Sequence, residues 1–112
     1  MKISQDFNWN TRENKQLVEA VLLLETVDEV KRFLRDLMTE DEIKEFAKRF
    51  EAARMLSEQT SYTSIIEKTG LSSTTVARIS KWLKGSLGGY RLVIDRMNHH
   101  RLSAQAGKGL SS

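Results

Sequence analysis

Apolar positions along the 112-residue chain recur at helical rather than alternating spacing, and they predict about six helices and an all-α fold. The first predicted helix runs from about Arg12 to Glu25, with Thr11 as its cap. Its Leu17, Val18, Val21, Leu22 and Leu24 wrap more than one stripe. A short helix that is apolar on several sides needs more cover than a small monomer readily supplies, so an intermolecular interface is expected here. Val27, Val30, Leu34 and Leu37 then mark a second helix over about 27–37. The third opens on Thr39-Glu40-Asp41-Glu42, a capping box in which Thr39 and Glu42 each bond the other's backbone N–H. Its acidic first turn suits the positive end of the helix dipole. Ile43, Phe46, Ala47, Phe50 and Ala53 continue as one stripe to about Ser57 and read as core.

After a polar connection at Glu58–Ser61, Tyr62–Thr69 makes a short helix carrying Ile65 and Ile66. Gly70-Leu71 breaks it, and Ser72 or Ser73 caps the next helix, which runs to about Lys84 with Val76, Ile79 and Leu83 on its buried side. Gly85–Gly89 forms a joint, and Tyr90–Met97 a last helix. Residues 1–102 are read as a single helical domain; 103–112, rich in Ser, Ala, Gln and Gly, are expected to be a disordered tail.

A short helix, a glycine turn and a second helix with a polar, exposed start make a helix-turn-helix over about residues 62–84. Gly70 supplies the turn, Leu71 plugs it, and Val76 and Ile79 anchor the second helix. Ser72, Ser73, Thr74, Thr75, Ala77, Arg78 and Lys81 are left facing outward. Hydroxyls and small side chains let the helix approach base edges closely, and Ala77 or a threonine methyl can meet a thymine methyl. Arg78 and Lys81 supply charge, with Lys68 on the preceding helix as a further phosphate contact. Ile66 departs from the pattern, which more often has a small residue early in the motif.

Composition sharpens this picture. The net charge of +3 hides an asymmetry: residues 1–60 carry ten Lys/Arg against thirteen Asp/Glu, and residues 61–112 carry eight against two. A basic reading head on an acidic scaffold fits a polyanion partner, double-stranded DNA. Without cysteine, and with His99 and His100 adjacent and so about 100° apart on a helix, no metal site is expected. The chain offers no nucleophile–base pair and no phosphate-cradling glycine loop, so neither an enzyme nor a cofactor is expected. No stretch approaches the ~20 apolar residues that span a bilayer, and residues 1–10 lack a signal-peptide core; a cytoplasmic location is expected.

The run Met38-Thr39-Glu40-Asp41-Glu42, then Lys48-Arg49-Phe50, then Leu71-Ser72-Ser73-Thr74-Thr75-Val76-Ala77-Arg78 resembles the Trp repressor family. Gly88-Gly89-Tyr90-Arg91-Leu92-Val93-Ile94-Asp95-Arg96-Met97 resembles its YerC/YecD-type branch. The resemblance implies an intertwined homodimer that presents two helix-turn-helix heads to a roughly palindromic operator, and hence a transcriptional repressor. It also implies a ligand site in which Thr39 contacts the ligand, Arg49 stacks on an indole and Arg78 pairs with a carboxylate.

Two positions depart from the family pattern. Ile79 stands where the repressor has glycine, and Trp82 where it has a small serine. Overpacking of this kind costs about 1–3 kcal/mol. A small-molecule effector is compatible with the three matches, but tryptophan is disfavoured, and Trp82 is a candidate to fill the indole pocket itself. Arg49 has a plainer reading as a surface ion pair with the acidic residues one turn earlier. The alternative to a DNA-reading regulator is a helical protein-interaction module whose head has lost its DNA function.

Overall fold

The computed structural model describes residues 7–111, with side chains over 7–101. Among the described residues six helices follow one another: α1 (Arg12–Leu22), α2 (Val27–Leu37), α3 (Glu40–Ser57), α4 (Tyr62–Thr69), α5 (Ser73–Leu83) and α6 (Gly89–Ser111). The chain gathers into two compact units, Met1–Ile43 and Lys44–Ser112.

In the first unit, local hydrogen bonds set the helix ends. Thr11 caps α1 by accepting from the Asn14 N–H at 3.2 Å. The helix stops at Leu22, three residues before the expected Glu25, because the following residues serve the start of α2. Thr26 accepts from the Glu29 N–H at 3.1 Å, and the Glu29 carboxylate reaches back to the Glu25 N–H at 2.9 Å. Such an arrangement satisfies donors that a helix start otherwise leaves unpaired. The box predicted at Thr39 is present: Thr39 Oγ1 accepts from Glu42 N–H at 3.1 Å, and Glu42 Oε1 from Thr39 N–H at 2.9 Å.

Neither α1 nor α2 buries a residue. Leu22, Leu23 and Val27 are 78%, 75% and 71% exposed, and Leu17, Val18 and Val21 are exposed too. Each helix is amphipathic, yet its apolar face has no core beneath it.

The second unit carries a core. Ala52, Ala53 and Met55 of α3 cluster with Ile65, Leu71, Val76, Ile79 and Ile94. Ile65, Val76 and Ile79 are fully buried; burial of one such side chain contributes about 1.5–3 kcal/mol. The α3 stripe is therefore only partly core. Ala53 is buried and Phe50 half-buried, but Phe46 and Ala47 are exposed. The C-terminal half of α3 meets the core cluster, through Ala52, Ala53 and Met55 with Phe50 and Leu56 packed against it.

The last helix is longer than its apolar pattern suggested. α6 spans Gly89–Ser111, so the backbone of 103–111 is helical where a disordered tail was expected. No proline interrupts the segment, and Leu, Ala, Gln and Lys all favour extending a helix already formed.

Candidate nucleic-acid interface

The turn between α4 and α5 is built from four consecutive residues with separate tasks. Thr69 is buried; its hydroxyl donates to the Ile65 carbonyl at 2.7 Å and accepts from the Leu71 N–H at 3.2 Å. Gly70 ends α4 in the left-handed region at φ 75°, its N–H bonded to the Ile66 carbonyl at 2.9 Å. A Cβ on Gly70 would meet nothing within 4 Å, so the requirement for glycine is conformational rather than steric. Leu71 is 6% exposed and plugs the turn. Ser72, not Ser73, is the cap of α5, accepting from the Thr75 N–H at 3.1 Å.

These contacts fix which face of α5 points outward. Val76, Ile79 and Ser80 are buried. Ser72, Ser73, Thr74, Ala77, Arg78 and Lys81 are exposed, and Thr75 is half-buried. Thr74, Ala77, Arg78 and Lys81 thus form one outer stripe at successive helical turns. Ser72 and Thr75 hydroxyls pair with each other at 3.0 Å, so they serve the cap first. Lys68 lies exposed in the last turn of α4. The eight predicted DNA-facing residues therefore all belong to one unit, spread from the end of α4 to the last turn of α5.

Sequence reading passed over Tyr62 and Thr63, which stand exposed in the first turn of α4 behind the Ser61 cap. The signal was available in Ser61 and Ser64, whose spacing matches the cap seen here: Ser61 accepts from the Ser64 N–H at 3.2 Å. Thr69 was missed as well, because its role depends on burial.

The three predicted ligand residues divide between the units. Thr39 lies in the first, and its hydroxyl is engaged in capping α3. Arg49 and Arg78 lie in the second. Arg49 Nε bonds Glu45 at 3.2 Å, and its guanidinium carbon stands 5.7 Å from the Phe46 ring centroid. Tyr90 lies against Phe50, ring centroids 6.4 Å apart. Burial raises the Tyr90 pKa above the ordinary 10.0, against a smaller lowering by the nearby Arg49 charge.

Ile79 and Trp82 have opposite surroundings. Ile79 is fully buried, so its added bulk enters the core of its own unit. Trp82 is 50% exposed within its own chain. Its position explains this: it stands about 100° around α5 from Leu83 and so on the flank rather than the buried side.

Comparison with known proteins agrees with this geometry. Residues 12–98 match the family described as Trp repressor protein. The chain is 37% identical over 86 residues to the uncharacterized protein YerC of Bacillus subtilis, covering 77% of this chain and 83% of that one. A TrpR-like protein from Eubacterium eligens superposes with a TM-score of 0.76 at 38% identity, covering 80% of this chain and 93% of the other. A candidate Trp repressor from Staphylococcus aureus also gives 0.76, at 30% identity over 88% of this chain and 95% of its own.

Proposed function

Because this chain belongs to the Trp repressor family, we propose that it is a sequence-specific DNA-binding transcriptional repressor acting as a homodimer through α4 and α5. The observation that carries this reading is the outer stripe of α5. Small and hydroxyl-bearing residues occupy its N-terminal half, cations follow at Arg78 and Lys81, and a rigid glycine turn presents the whole. Such a helix start fits into the major groove, with Thr74 and Ala77 toward base edges and Lys68, Arg78 and Lys81 toward phosphates.

The homodimer is supported by the first unit, whose apolar helices bury nothing among the described residues. Two heads related by a two-fold axis would read half-sites about 34 Å apart on cytoplasmic DNA. Thr39, Arg49 and Arg78 are the residues that an amino-acid effector would engage. Tryptophan fits that role poorly: Ile79 replaces open space, and Trp82 puts a bulky ring on the flank beside Arg78.

Selection of binding sites from random genomic fragments, with and without added amino acids, tests the proposal. An enriched palindrome is the expected result. Retention of fragments without any shared sequence would leave a protein-interaction module as the better reading, as the many exposed apolar residues of α1 and α2 would then suggest. Calorimetric titration should give no tight binding of L-tryptophan.

A further inference from the structure

The first two turns of α6 grip their unit at three points. Tyr90 lies against Phe50 of α3. Ile94 is 3% exposed and belongs to the core cluster. Between them, Arg91 turns back across the joint, and its Nη1 donates to the main-chain carbonyl of Leu83, the last residue of α5.

That carbonyl is one of the acceptors a helix end leaves without an intrahelical partner. The N–H groups that follow it are directed elsewhere, Lys84 to Ser80 at 3.2 Å and Gly85 to Trp82 at 3.0 Å. A guanidinium also suits the negative end of the helix dipole. Arg91 makes no salt bridge among the described residues.

The joint is shaped around this contact. Gly88 has φ +70°, and a Cβ there would stand 3.0 Å from Arg91 Nη2. A side chain at position 88 would therefore be strained by the backbone and crowd the guanidinium. The Gly88-Gly89-Tyr90-Arg91 run thus places a cation exactly one joint beyond the reading helix. Arg91 is remote from the base-facing end: the 11 residues of α5 span roughly 16 Å, and the contact is at the far terminus.

We propose that Arg91 is a positioning residue, which holds the tilt of α5 by tying its C-terminal end to α6; this rests on the DNA-reading role proposed above. Arg91 acts through the helix and not through the nucleic acid. The full-length Arg91→Ala protein tests it in two ways. In the free protein, amide exchange at Lys84 and Gly85 should accelerate about tenfold or more while the amides of Ile65 and Val76 keep their rates. Unchanged exchange at the joint would overturn the clamp.

On the selected palindrome, R91A should bind about tenfold more weakly, with the slope of log affinity against log salt unaltered. A slope reduced by about one unit would instead make Arg91 a phosphate contact and defeat the proposal. So would faster exchange with undiminished affinity. If the unmodified protein selects no site, the DNA-reading role fails by itself, and the exchange rates still decide whether Arg91 clamps α5.

Discussion

Thr74 and Thr75 are neighbours in sequence but differ in what their hydroxyls do. Thr75 pairs with the capping Ser72 and is half-buried, whereas Thr74 stands exposed on the outer stripe. Thr74→Ala should therefore leave thermal stability within about 0.5 kcal/mol and relax base preference at one position of the operator. Competition binding with single-base operator variants would measure it. Ser72→Ala should instead lower unfolding stability by about 1 kcal/mol through loss of the cap. At Tyr90, a pKa raised above 10.0 means that the folded state favours the neutral phenol. This stabilisation is complete below pH 10.0 and is lost as pH rises through the folded value. Melting temperatures followed into alkaline solution should fall less steeply for Tyr90→Phe than for the parent protein. Residue-scale reading of the sequence succeeded at Gly70 and Leu71, whose roles are local. It could not reveal that Thr69 is buried, or that Ile79 fills a core while Trp82 does not, since burial is decided by distant segments.

Helix boundaries were legible wherever a cap is written in adjacent residues. α2 and α4 begin and end where the apolar spacing and the Gly70 break predicted. α1 ends early because Thr26 and Glu29 form a second cap that the apolar pattern alone hides. In α3 the stripe identified the helix but not its buried stretch, because one face of a long helix can run past the elements that cover it. The Thr39 box gives a direct test. Thr39→Ala should cost about 1 kcal/mol of stability and fray the first turn of α3, visible as faster amide exchange at Glu42. If Thr39 also served an effector, the same variant would weaken effector binding beyond what the loss of stability explains.

At the scale of the whole molecule, the sequence pointed to an interface at α1, and the chain does leave both α1 and α2 without a buried residue. Hydrophobic spacing cannot say whether an apolar face is covered by the same chain or by another, so it marks the face without naming what covers it. Under the proposed dimer, melting temperature should rise with protein concentration, because association stabilises the folded state by mass action. Leu22→Glu should abolish that dependence, and sedimentation should then find monomers. The coreless first unit has a genetic consequence. Under the proposed function, the surfaces that pair subunits and the helix that reads DNA are encoded in separate stretches of the chain. A copy damaged only in α5 would still enter pairs, and with equal expression about three quarters of all pairs would carry at least one spoiled head. Lesions in the reading helix should therefore be dominant over the wild type, and lesions in α1 recessive.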